Sequence, residues 1–152
     1  MDYAKLESAI GLNWWDADPN LQRTVRHHCP AEDLAWAQCK LSDFGALVGD
    51  RIARNADIID ANPPKLRRYD RWANEVNEIQ YHPATFDSKD ALWRIGYGSN
   101  FAADREARGR RTPSIVRMAV DYILSQADTG LACGVGQTNG AAKMVARYAP
   151  DE

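Results

Sequence analysis

The feature that most constrains this chain is a polar stretch from Asn62 to Pro83, which interrupts helical sequence and is bounded by proline at both ends. Pro63 and Pro64 have no N–H to donate, and proline also disfavours the α conformation of the residue before it. The incoming helix is therefore predicted to end near Asn62. Pro83 suits the first turn of a helix, so a new helix is predicted to begin there.

The interior of this stretch predicts an irregular two-stranded hairpin over residues 65–81. Short segments at 66–69 and 76–81 contain the β-forming side chains, and they flank a polar connection at 70–75. The connection contains no Asn-Gly pair, the usual signal of a tight hairpin turn, so the turn is predicted to be longer and less regular.

The rest of the chain predicts an all-α fold of five or six helices. Its 152 residues are enough for one domain with its own core, so residues 1–152 are expected to form a single unit. The hydrophobic share of 45% and charged share of 26% are those of an ordinary globular protein. No apolar run approaches the roughly 18 residues of a membrane span, and the polar start is unlike a signal peptide, so we expect a cytoplasmic protein.

The longest predicted helix begins at Ala31. Its apolar residues recur every three or four positions and predict an amphipathic helix that continues to the proline stop; they are Leu34, Ala37, Leu41, Phe44, Val48, Ile52 and Ile59. Gly45 and Gly49 are expected to bend or split it.

Ahead of this helix, Asp18 is predicted to cap a helix that starts at Pro19 and turns Leu21, Val25 and Leu12 inward. The Trp14–Trp15 pair is read as an arm packed on the core, in preference to a ligand platform.

The second half predicts three more helices. The first runs over 84–97. The second has Thr112 as its N-cap and Pro113 as its first residue, and the last covers 134–148. The helix after Pro113 is rich in apolar residues and is predicted to be central. Small residues in the last helix predict that another backbone or a ligand presses against it.

A charge-dense segment, Asp104 to Arg111 (DREARGRR), has two interpretations. A solvated helix end is favoured over a phosphate-binding patch, because the chain as a whole has a formal charge of −2. The same charge opposes nonspecific binding to nucleic acid or an anionic membrane.

The residues alone reveal no active site. Three cysteines at unrelated spacings predict neither disulfides nor a zinc site, and the histidines, His27, His28 and His82, have no metal-ligand spacing. Gly96-Tyr97-Gly98 is read as a helix end, since no third glycine follows at the distance a nucleotide loop requires.

Two segments together resemble a known family. The stretch NPPKLRRYDRWANEVNEIQYHP and the later YILSQADTGLACGVGQTNGAAKMVARYAPDE are similar to the N-terminal helical domain of the acyl-CoA dehydrogenase superfamily, and the hairpin resembles its bacterial alkylation-response (adaptive response) branch. The resemblance implies a parent protein with this domain, a middle β domain and a C-terminal helical bundle.

The resemblance also implies an activity for the parent protein. Such a protein binds FAD and oxidises an acyl-CoA thioester, the flavin accepting hydride from the β-carbon. The family's Thr-Glu and Gly-Ser-Asp flavin signature and its later carboxylate base are not found in this sequence, so the chain alone is expected to hold no FAD and no catalytic residue. Its expected partners are the missing domains, in cis or in trans, within a homo-oligomer. Two alternatives stay open: a noncatalytic helical interaction module, or a nucleic-acid-protecting protein of the alkylation-response branch.

By the same resemblance, the start of the last helix lines the pocket for the acyl tail. The residues implied are Gln137, Thr138, Gly140, Ala141 and Met144. Their types suit an alkyl chain, since small side chains leave space and methionine adapts its shape. The alternative is a close helix–helix contact filled by small residues.

Overall fold

The computed structural model describes residues 8–149 and confirms a helical fold with one small hairpin. The helices are α1 (Pro19–His28), α2 (Ala31–Leu47), α3 (Ala53–Ala61), α4 (Pro83–Arg94), α5 (Ala102–Arg108), α6 (Ser114–Ala127) and α7 (Thr129–Tyr148). A π-helical segment, Val48–Ile52, joins α2 to α3 without a break. Counted as one helix, that run leaves six helices in the described part of the chain, within the predicted number.

The hairpin lies where the prolines predict it. Helix α3 ends at Ala61, strands β1 (Lys65–Tyr69) and β2 (Glu75–Gln80) pair antiparallel, and α4 starts at Pro83. The turn is held by the Asp70 carboxylate, which accepts the backbone N–H groups of Trp72 at 2.8 Å and Asn74 at 2.9 Å. Every strand residue is exposed, so the hairpin adds nothing to the core.

The base of the hairpin is held by contacts between α3, its preceding π segment and α4. Arg51 forms an ion pair with Asp87, and the Asn55 amide donates to Asp87 at 2.8 Å and to the buried hydroxyl of Ser88 at 3.0 Å. The bond from Arg51, and after it the bond from Asn55, lowers the pKa of Asp87 to about 2. These bonds bring together the two helices that the hairpin connects.

The N-terminal arm packs against the two glycines of the long helix. Trp15 is 4% exposed, and a Cβ at Gly45 would lie 2.5 Å from the Trp15 nitrogen, while one at Gly49 would lie 2.0 Å from the Leu12 carbonyl oxygen. The packed-arm interpretation of the tryptophan pair is confirmed. The inward orientation predicted for Leu12 is wrong, because its backbone occupies the contact and its side chain is 53% exposed.

Helix α6 is central, as predicted. Its buried residues meet the inner face of α2 and the π segment in one cluster that includes Leu41, Phe44, Ile52, Val116, Val120, Ile123 and Leu124. The helix is amphipathic, however: Met118 and Tyr122 are exposed on its outer face. Val25 from α1 is fully buried in the same cluster, and Asp18 caps α1 through the N–H groups of residues 20 and 21.

The starts of α6 and α7 differ from prediction, and hydrogen bonds of Thr112 and Asp128 show why. Thr112 does not cap α6; its hydroxyl donates to the Asn100 carbonyl at 3.3 Å, and the helix begins at Ser114. Asp128 ends α6 and then accepts the Leu131 N–H at 2.9 Å, so it caps the next helix. As a result α7 begins at Thr129, earlier than the predicted start at residue 134.

Candidate functional site

Helix α7 is attached to the rest of the molecule mainly by its first turns. Leu131 is buried against the core and Val135 packs beside it, whereas most of the helix from residue 136 onward is exposed. A Cβ added at Gly136 or Gly140 would meet no atom within 4 Å. Within the described residues nothing contacts these two glycines, so the expectation that a ligand or another backbone presses against this helix stays a prediction.

The predicted pocket residues separate into two groups. Gln137, Ala141 and Met144 are exposed and follow one another at three or four residues, which places them on one face of α7. We call this the outward face. Thr138 points instead toward the two cavities between α7 and its neighbours, and Gly140 lines the larger of them.

The larger cavity has a volume of about 920 Å³ and lies between residues 97–101, α6 and α7. Four cationic side chains line it: Arg105, Arg111, Arg117 and Lys143. They come from α5, the loop after it, α6 and α7. No single segment of the sequence therefore predicts that these four side chains lie together. The interpretation of residues 104–111 as a solvated helix end holds for Arg111, which is exposed, but not for Arg105, which is partly buried.

One wall of this cavity is anchored by a buried phenol. The Tyr97 hydroxyl donates to an Asp121 carboxylate oxygen at 2.6 Å, and Tyr97 is 3% exposed. Burial, then the hydrogen bond and charge of Asp121, raises the pKa of Tyr97 well above its ordinary value of 10. The phenol therefore stays protonated at neutral pH and positions the wall rather than acting as a base.

The smaller cavity, of about 380 Å³, lies between the end of α4 and the start of α7. Its lining is mostly apolar and includes Leu92, Trp93, Leu131 and Val135. The Trp93 ring lies directly against residue 98, where a Cβ would be 1.7 Å from a ring atom, so glycine is required there.

A second charged cluster is structural. Arg108 pairs with the buried carboxylate of Asp33, and its guanidinium carbon lies 3.6 Å from the centre of the Trp36 ring. Burial, and after it the Asp33 charge, raises the pKa of the neighbouring Cys29 thiol. This cluster ties α2 to α5 and does not open into a cavity.

Neither metal binding nor a membrane span has support in residues 8–149. No group of three His, Cys, Asp or Glu side chains in that range is placed to bind a metal ion. No helix in the same range is long and apolar enough to cross a membrane. His82 caps α4 through its Nδ1, which accepts the Ala84 N–H at 3.2 Å.

With this helical unit, its hairpin and its exposed last helix, the chain belongs to the family of N-terminal domains of adaptive response proteins. The family described as "Adaptive response protein AidB N-terminal domain" matches residues 5–151. This confirms the resemblance to the alkylation-response branch of the acyl-CoA dehydrogenase superfamily.

One curated protein is similar to this chain in sequence, and one solved structure is similar to it in fold. A protein of Escherichia coli (strain K12) named "Putative acyl-CoA dehydrogenase AidB" is 26% identical over 115 residues, which cover 72% of this chain and 20% of that protein. The solved structure named "Bd2924 apo-form" superposes with a TM-score of 0.80 at 21% identity, over 95% of this chain and 28% of that one. The chain thus spans about a fifth to somewhat over a quarter of these similar proteins.

Proposed function

We propose that this chain is the N-terminal helical part of an FAD-dependent, acyl-CoA dehydrogenase-like oxidoreductase of the AidB type. In this proposal residues 137–144, beyond the first turns of α7, contribute to the acyl-substrate pocket. Gln137, Gly140, Ala141 and Met144 would line it, with Thr138 at its edge. Family membership supports the general class, and the exposure of α7 supports the specific role.

The observation that carries the proposal is the exposure of the outward face. Met144 is 61% exposed, and Val145 and Tyr148 further along the helix are 63% and 66% exposed. Exposed apolar side chains in such density mark surfaces that another molecule or domain covers. The small residues at positions 140 and 141 would leave room for an alkyl chain once a second wall is present.

The second wall would come from the remainder of a longer protein. The similar proteins are several times longer than this chain, so the family places this unit beside further domains. We propose that a middle β domain and a C-terminal helical bundle pack on α7, in cis or in trans, within a cytoplasmic homo-oligomer that takes acyl-CoA.

FAD itself does not fit the residues described here. The larger cavity is bordered by charged side chains where a tricyclic ring requires an apolar slot, and the smaller, mostly apolar cavity has a single cationic side chain, Lys89, for the diphosphate of FAD. When bound in the complete protein, the flavin would supply hydride acceptance. No catalytic residue is assigned to this chain, whose own residues would bind and orient the acyl tail.

The test requires the chain joined to, or coexpressed with, the remaining domains of an AidB-type protein. Gly140→Leu should shift the preference toward shorter acyl chains while the flavin content, measured by visible absorbance, stays unchanged. The reason is that the leucine side chain would occupy space otherwise left to the alkyl chain. Ala46→Leu, at an exposed position of α2, is the matched control and should leave chain-length preference as it is.

Unchanged chain-length preference with Gly140→Leu would contradict the pocket assignment. If coexpression yields a stable complex without flavin colour, the proposed oxidoreductase role is wrong and the alternative of a noncatalytic helical interaction module is favoured.

A further inference from the structure

The larger cavity is positively charged, although the chain as a whole has a formal charge of −2. Arg105, Arg111, Arg117 and Lys143 line it, and Asp121 is the acidic residue in its lining. Four positive groups against one negative group leave an excess of three positive charges around about 920 Å³. Asp121 is moreover engaged by the Tyr97 hydroxyl at 2.6 Å.

The arginines of this cluster are not neutralised within the described residues. None of the four cations forms an ion pair with a carboxylate of residues 8–149. The Nε atoms of Arg105 and Arg117 are buried and lack a hydrogen-bond partner. Cationic side chains that have no carboxylate partner and line a cavity favour an anion that brings acceptor oxygens to their accessible N–H groups.

We propose that this cavity binds a small molecule carrying two or more phosphoryl groups. Guanidinium groups match phosphate oxygens in geometry and charge, and an ammonium group adds a mobile point charge. The volume is that of a small-molecule site and exceeds the space that one phosphate requires. The Ser114 hydroxyl and the Asn139 amide also line the cavity and offer further donors.

This site borders the proposed acyl pocket and shares two residues with it, but its argument does not depend on that proposal. Gln137, Ala141 and Met144 do not line the cavity, although Thr138 and Gly140 do. If the chain does not bind phosphorylated probes but Gly140→Leu shifts the acyl-chain preference, only the phosphate-site proposal is wrong. If the probes bind but the acyl-chain preference does not shift, only the acyl-pocket proposal is wrong.

The experiment is calorimetric titration of the 152-residue chain at low ionic strength with inorganic pyrophosphate, adenosine 3′,5′-bisphosphate and adenosine. Both phosphorylated probes should bind, adenosine should not, and added salt should weaken binding. Arg117→Gln should weaken binding by about tenfold or more, since it removes a charge-assisted hydrogen bond. Similar affinity for both probes would indicate an inorganic ligand, and tighter binding of the bisphosphate a nucleotide-like one.

Two further variants make the test specific. Arg71→Gln, in the exposed hairpin turn, removes the same charge outside the cavity and should leave affinity unchanged. Lys143→Gln alters an exposed residue of α7 whose loss does not endanger folding, and should weaken binding severalfold. The proposal is wrong if neither phosphorylated probe binds, if adenosine binds equally well, or if Arg71→Gln weakens binding as much as Arg117→Gln.

Discussion

At the scale of single residues, Arg108 shows how one side chain links distant parts of the chain. It pairs with Asp33, whose side chain is 8% exposed, and lies over the Trp36 ring; Arg110 approaches the same carboxylate at 3.7 Å. Two nitrogens of Arg108, Nε and Nη2, are buried without a hydrogen-bond partner. The pair is therefore sensitive to the loss of either member, because each charge is stabilised chiefly by the other.

We predict that Asp33→Ala lowers the free energy of unfolding by about 3–5 kcal/mol, the cost of leaving a buried charge unpaired. Urea denaturation followed by circular dichroism measures this. Asp90→Ala, which breaks the exposed pair with Arg94, is the control and should change the free energy of unfolding far less, because solvent screens that pair.

Adding Arg108→Met to Asp33→Ala should recover part of the loss, since it removes the unpaired charge and keeps an apolar side chain against Trp36. Equal destabilisation by Asp33→Ala and Asp90→Ala would show that the Asp33 pair is not a buried interaction.

At the scale of elements, the glycines of α2 and α7 have opposite roles. A Cβ at Gly45 would lie 2.4 Å from the Asn13 side-chain oxygen, so this glycine permits the N-terminal arm to approach the helix. A Cβ at Gly136 on α7 would meet nothing within 4 Å. Glycine is intrinsically unfavourable in both helices, but only in α2 does a packing contact within the described residues offset that cost.

The prediction is that Gly45→Ala and Gly136→Ala change stability in opposite directions. Gly45→Ala should destabilise by about 1–3 kcal/mol, because the added methyl group displaces the arm. Gly136→Ala should stabilise by about 0.5–1 kcal/mol through helix propensity alone. Thermal unfolding of the two variants, compared with the unaltered chain, measures both. Stabilisation by Gly45→Ala would mean that the arm does not pack there in solution.

At the scale of the whole molecule, positive charge is slightly outnumbered by negative charge, and part of it is held in ion pairs. The formal charge is −2, and on the hairpin Arg67 lies 3.5 Å from Glu78 and Arg68 4.0 Å from Glu75. The cations of the larger cavity surround one concavity, and among residues 8–149 they do not form an extended basic surface for a duplex.

We therefore predict that filter binding of the chain to duplex DNA is weak and depends little on salt. The slope of log K against log salt should stay shallower than about −2, because few phosphates are contacted. Arg67→Gln combined with Arg68→Gln should change nothing. A slope of about −5 or steeper would favour the nucleic-acid-protecting alternative.

Rules that act over a few residues made much of the fold predictable. Proline has no backbone N–H to donate, whatever surrounds it. The C-terminal end of α3 therefore follows from Pro63 and Pro64, the start of α4 follows from Pro83, and the hairpin lies between them. Asp18 caps α1 because its acceptor lies next to the first free N–H groups of that helix. The apolar spacing of α2 likewise determined which of its faces is buried.

Only the tertiary structure decided which of two possible local hydrogen bonds forms. It also decided which side chains from distant parts of the sequence lie together. Thr112 was an equally good cap on sequence grounds, but packing brought the Asn100 carbonyl within 3.3 Å of its hydroxyl. The cationic cavity depends on how α5, α6 and α7 are placed, so Arg105, Arg117 and Lys143 converge although 38 residue positions separate the first from the last. Such convergence has no local signature, because it is set by the angles at which helices pack.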